Sequence, residues 1–169
     1  MFQQEKTERL LRTIPKKLAR ARTADKAIRN VADEVRSLIP SIWRATLNKL
    51  VLNASQVECV AVWCDRKTEL KPGLRVSTLV TAIPEVMKLG RAMVSSEHDG
   101  ETSDLKRSLQ AEGTQSWTLI PLSQADRVVG ALTLSSHEFD AFTPDAVDFF
   151  SSLGRAAEKP LVGLLGLDN

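Results

Sequence analysis

The chain has 169 residues, 43% of them hydrophobic and 26% charged, with 7 prolines and 2 cysteines. That size and balance suit one domain with its own core and exclude a disordered segment or a disulfide scaffold. No window approaches the ~18 uninterrupted apolar residues of a membrane span, and the start "MFQQEKTERLL" lacks a signal-peptide core, so a soluble, cytoplasmic protein is expected. Net charge is +2 but unevenly spread: Lys and Arg number 11 against 5 Asp and Glu up to Arg44, and 12 against 16 beyond it.

The basic arm alternates with a regular apolar stripe and has no aromatic between Phe2 and Trp43, the pattern of a solvated helix face more than of a nucleic-acid surface. Leu10 or Leu11, Ile14, Leu18 and Ala21 recur at helical spacing. After Thr23, suited to an N-cap, Ala24, Ala27, Ile28, Val31, Val35 and Leu38 continue the pattern up to Pro40. Two helices, or one bent one, are predicted, and Pro15 should either start the main helix of the arm or kink it.

From Ser41 the period falls to two. "WRATLNKLVL" and "QVECVAVWC", separated by the turn-forming "NAS", predict a strand pair. "LRVST" reads as a short strand, "TAIPEVMKLG" as a helix ended by Gly90, "RAMV" as a short strand, and 104–112 as a weak helix closed by Gly113. "TQSWTLIPLS" and "RVVGALTLSS" flank the turn "QAD" as a hairpin. The last helix starts with Thr143 as cap and Pro144 at the first helical position, and aligns Val147, Phe150, Leu153 and Ala157 on one face. This order describes an α+β domain with a mostly antiparallel sheet of five to six strands, terminal helices on one face, and short helices and loops on the other.

Four stretches, in order and at the right spacing, resemble the GAF family of small-molecule-binding sensor domains between about Thr23 and Leu161. They are "EVMKLGRAMV" for the helix, glycine and short strand, "EGTQSWTLIPL" for the entry to the penultimate strand, "RVVGALTLSS" for the last strand with its embedded glycine, and "FDAFTPDAVDFFSSLGRAAEKPL" for the closing helix. The resemblance implies a helical arm over 1–22, a GAF-like domain over 23–165 and a tail over 166–169, with a ligand pocket on the sheet face away from the terminal helices.

Strand alternation separates Val129, Ala131, Thr133 and Ser135 from Gly130, Leu132 and Leu134, and the greasier second set is expected to face the terminal helices. Gly130 then either relieves crowding under a packed helix or leaves room for a ligand. Thr133 and Ser135 face the pocket. Trp63 or Cys64 and Trp117 or Thr118 wall it, and the loop "SSEHDGETSD" sits where the family places its lid. The candidate ligand-binding set is Trp63, Ser96, His98, Asp99, Trp117, Thr133 and Ser135. No metal site is expected, since no Cys or carboxylate pair has metal spacing with His98, and no cofactor or ligand can be named.

Nothing in the chain reads as a catalytic device. Some GAF-like proteins reduce free methionine sulfoxide with a set of cysteines around the pocket, but Cys59 and Cys64, five apart on one strand, are expected on opposite faces. Bilin-binding relatives attach their chromophore through a cysteine beside a histidine, and no such pair stands here; the cyclic-nucleotide branch carries an Asn-Lys…Asp-Glu signature, and the only Asn-Lys, Asn48-Lys49, lies in a strand at the wrong end. The expected function is therefore a non-catalytic regulatory domain that binds a small molecule and couples to a partner through its terminal helices. The alternatives are a ligand-less dimerisation module and redox chemistry at Cys59 or Cys64. A homodimer is expected through Leu11, Ile14 and Leu18, helped by the apolar tail "LVGLLGL", unless the arm folds back on its own domain.

Overall fold

The computed structural model describes residues 2–98 and 104–167. Two helices open it, α1 (Gln4–Arg20) and α2 (Ala24–Arg36). Thr23 caps α2, its hydroxyl accepting the Lys26 N–H at 3.1 Å. Unlike the expected start at Pro15, α1 begins eleven residues earlier and runs through the proline, leaving the Leu11 carbonyl without its usual helix partner.

The strands are β1 (Ile42–Val51), β2 (Gln56–Cys64), β3 (Arg75–Ser77), β4 (Met93–Val94), β5 (Ser116–Gln124) and β6 (Arg127–Ser136). They form one antiparallel sheet in the order β3-β2-β1-β6-β5-β4. The β5–β6 hairpin turns at Ala125 and Asp126, both at positive φ (52° and 62°), a backbone whose twist matches that of the flanking strands. Short helices α3 (Ile83–Leu89) and α4 (Asp104–Ala111) interrupt the strand run, and Gly90 ends α3 at φ 65°. The closing helix α5 (Val147–Gly163) follows a 3-10 turn at Pro144–Ala146. The expected Thr143 cap is not made: its hydroxyl turns to the Asp145 carboxylate.

Helices α1, α2 and α5 cover one face of the sheet, and the main core lies between them and Ala45, Leu47, Ala61, Ile120, Leu122, Leu132 and Leu134. The apolar stripe of the arm ends there too, which corrects the expected dimer interface. Ile14 and Leu18 are 0% and 1% exposed within one chain, and Leu11 is half-buried against the same core, because α1 lies on α5 and α2. Phe2, ahead of α1, meets Phe149 and Phe150 edge-on at 5.5 and 6.1 Å. The tail is likewise covered, with Leu161 and Leu165 buried.

Candidate ligand-binding site

The opposite face of the sheet is built by register. Pairing of β1 with β6 sets Arg44 beside Ser135, Thr46 beside Thr133 and Asn48 beside Ala131. On β5, Trp117, Leu119 and Pro121 pair with Ser135, Thr133 and Ala131, so all nine side chains share that face. Helix α3 packs Ile83 and Val86 against part of it, in a small second core with Val57, Met93, Trp117, Leu119 and Ala131. Thr133 stays half-buried near its centre.

A buried charge stands at one end of this face. Arg44 is 3% exposed, with its guanidinium over the Trp43 ring at 4.7 Å. It donates to Thr68 Oγ1 at 2.9 Å and is paired with the Glu112 carboxylate, the residue that follows α4. Glu112 Oε1 also accepts the Glu69 N–H at 2.7 Å, and Oε2 accepts the Thr68 hydroxyl at 3.0 Å. Burial pushes the Glu112 carboxyl up, but the Glu69 N–H, the charge of Arg44 and the Thr68 hydroxyl outweigh it and hold the group below the usual carboxylate range. Burial also draws the Arg44 guanidinium down from its usual value, opposed by Glu112. Two buried polar atoms here, Arg44 Nε and Ser135 Oγ, have no partner among the described residues.

His98 approaches the face from its rim. Its ring meets Trp117 edge-on at 5.8 Å and its Nδ1 lies 2.8 Å from Glu85 Oε1 of α3. The segment before it is fixed by Glu97, which pairs with Arg91 at 2.7 Å and accepts the Val94 N–H at 3.1 Å, and by Ser95 Oγ, which accepts the Trp117 N–H at 3.1 Å.

Of the candidate residues, the structure brings His98, Trp117, Thr133 and Ser135 to one face. Ser96 lies exposed in the adjacent 3-10 turn, and Asp99 falls outside the described residues. Trp63 is a correction. It pairs with Ala45 and packs on the helix side, under the Arg36 guanidinium at 5.0 Å. The cysteines are another. A register shift between Leu47 and Asn48 pairs Cys59 with Asn48 and Cys64 with Arg44, so the bulge turns both to the same face where strict alternation would oppose them. Burial raises the Cys59 thiol to about 11. Arg44 and Glu112 were not among the sequence candidates: a charged residue inside an otherwise apolar strand start was the available signal, and its partner 68 positions away carried none.

A groove of about 590 Å³ opens elsewhere, between Phe2, Leu38, Phe149 and the carboxylates of Asp140 and Asp145. None of the buried unpartnered polar atoms lines it, so the sheet face remains the better candidate.

The model of the GAF domain family matches residues 23–161. The chain belongs to the GAF domain family. The fold agrees: the chain is similar to the phycocyanobilin-bound GAF domain of a cyanobacterial phytochrome, at 15% identity and a TM-score of 0.70 over 94% of this chain and 93% of that one. It is also similar to the free methionine-R-sulfoxide reductase of Neisseria meningitidis in complex with its substrate, at 13% identity and 0.71 over 94% and 89%. A GAF domain from a phosphoenolpyruvate-protein phosphotransferase of Coxiella burnetii gives 17% identity and 0.69 over 91% and 92%. No curated protein sequence matches the chain. GAF domains are generally regulatory or sensory, although some similar folds are enzymes. Among the described residues no helix is long and apolar enough to cross a membrane.

Proposed function

We propose that this GAF domain is a non-catalytic regulatory module that binds a small molecule on the sheet face bearing Arg44, Trp117, Thr133 and Ser135, beside His98. One observation carries the reading. Among the described residues, two buried polar atoms at one end of that face, Arg44 Nε and Ser135 Oγ, lack partners, and the half-buried Thr133 stands two residues from Ser135 on the same face. Buried donors without acceptors cost free energy that a bound molecule recovers.

Binding there is transmitted through β1 and β6, which carry pocket residues on one face and Leu47, Leu132 and Leu134 beneath the terminal helices on the other. The helices are thus the route to a partner. Catalysis by Cys59 is disfavoured because a thiol held near 11 supplies almost no thiolate at neutral pH. Native mass spectrometry of protein purified from its own cells tests the reading: a small-molecule adduct lost on Ser135→Ala or Trp117→Ala supports it. Bare protein, with no ligand-dependent rise in melting temperature across a metabolite set, supports a ligand-less module.

A further inference from the structure

We infer that the molecule held on this face presents a neutral carbonyl or amide oxygen, not an anion, to Arg44 and Ser135. The inference rests on the ligand-binding reading above and names the class of ligand. Arg44 and Ser135 are paired across β1 and β6, 3% and 1% exposed, and each keeps one polar atom without a partner. A guanidinium Nε–H only donates and a serine hydroxyl can donate, so the pair asks for an acceptor.

An arginine in a pocket ordinarily suggests a carboxylate or phosphate. Here that role is already filled from within the chain. The Glu112 carboxylate neutralises Arg44 and is itself held by the Glu69 N–H and the Thr68 hydroxyl. Glu85, beside His98 on the rim, adds a second negative group. The buried Cys59 thiol, at about 11, is uncharged. An incoming anion would lose its hydration and meet the field of Glu112, which already neutralises Arg44. A carbonyl oxygen accepts the same two hydrogens without that cost.

Matched probes test this. Nicotinamide and nicotinate, which differ in amide against carboxylate, are titrated into the ¹⁵N-labelled full chain while the Arg44 Nε–H and the Thr133 and Ser135 amides are followed. Nicotinamide should shift these signals with an apparent Kd lower than that of nicotinate by about fivefold or more. Glu112→Gln should erase most of that preference by leaving Arg44 uncompensated. Ser135→Ala, which removes no charge and leaves the fold intact, should weaken nicotinamide and spare nicotinate. Tighter nicotinate binding to the unaltered chain, or a preference unchanged in both variants, overturns the neutral-acceptor assignment while the face remains a binding site. Failure of both probes to move any signal on the face overturns the ligand-binding reading as well.

Discussion

Gly130 and Gly154 show how single residues set the spacing of layers. A Cβ on Gly130 would lie 2.5 Å from the Asn48 carbonyl oxygen and 2.8 Å from Leu165 Cδ1, so the glycine serves close packing on the helix side and leaves no ligand space. That was legible in the alternation of β6, which groups Gly130 with Leu132 and Leu134. What was not legible was the neighbour, since Leu165 follows α5 and comes from the far end of the chain. On α5 itself, Gly154 faces Ile120, whose Cγ2 would stand 2.5 Å from an added Cβ. The two obstacles differ in kind. A strand carbonyl cannot move without breaking the ladder, whereas an isoleucine methyl can shift, and alanine gains up to about 1 kcal/mol of helix propensity over glycine. Gly130→Ala should therefore cost about 1–3 kcal/mol and Gly154→Ala distinctly less, read from urea denaturation midpoints. Equal losses would show that Ile120 is as fixed as the backbone of β1.

Among elements, strand and helix types follow from period and cap, while their partners do not. Among the described residues the strands and the helices after α1 appear where alternation, Gly90, Gly113 and Pro144 place them, but the start and the cover of α1 differ from expectation because its stripe alone cannot say what lies opposite. Ile14 and Leu18 are interior positions between α1, α2 and α5, so Ile14→Ala and Leu18→Ala should each lower stability by about 2–5 kcal/mol and leave the oligomeric state unchanged in light scattering. A change in association with full stability would restore α1 as an interface. The bulge at Val60 of β2 escaped for the same reason, since one extra residue in a ladder leaves no mark in a period-two pattern, and with it went the facing of Cys59 and Cys64. Helix α4 is tied to the sheet through Glu112. Burial alone would raise this carboxyl, but its donors hold it below its unfolded value near 4.3, so its stabilisation is present above that value and is lost as pH falls through the folded value. Glu112→Gln should then cost about 1–3 kcal/mol at pH 7, and the gap to the unaltered chain should narrow as pH falls below the unfolded value of about 4.3. Urea curves at pH 7 and below pH 4 measure that difference, and a gap that persists in acid would mean Glu112 acts through shape and not charge.

The whole molecule divides its work by sheet face. One face meets α1, α2 and α5 across a continuous apolar core, and the other mixes a small apolar cluster with buried hydroxyls, an arginine and an imidazole. Stability is expected from the first and recognition from the second, and two residues of one strand can separate them. Leu132 is fully buried under the helices, and its truncation to alanine should cost about 2–5 kcal/mol through lost contacts and the cavity left behind. Ser135, three residues on and turned to the other side, has a buried hydroxyl without a partner. In the free protein that hydroxyl is a liability, because it gave up hydrogen bonds to water on folding and received none in return. Ser135→Ala removes it at little cost in volume, so the free protein should become more stable by about 0.5–1 kcal/mol, against the usual direction of core substitutions. The same change should reduce whatever stabilisation a bound molecule confers, since the hydroxyl is one of the two atoms left to meet it. Urea denaturation of the two variants, each with and without ligand, decides the matter. If Ser135→Ala destabilises the free chain by 1 kcal/mol or more, on the scale of an ordinary lost hydrogen bond, the hydroxyl already has a partner and the division of the two faces fails at this residue.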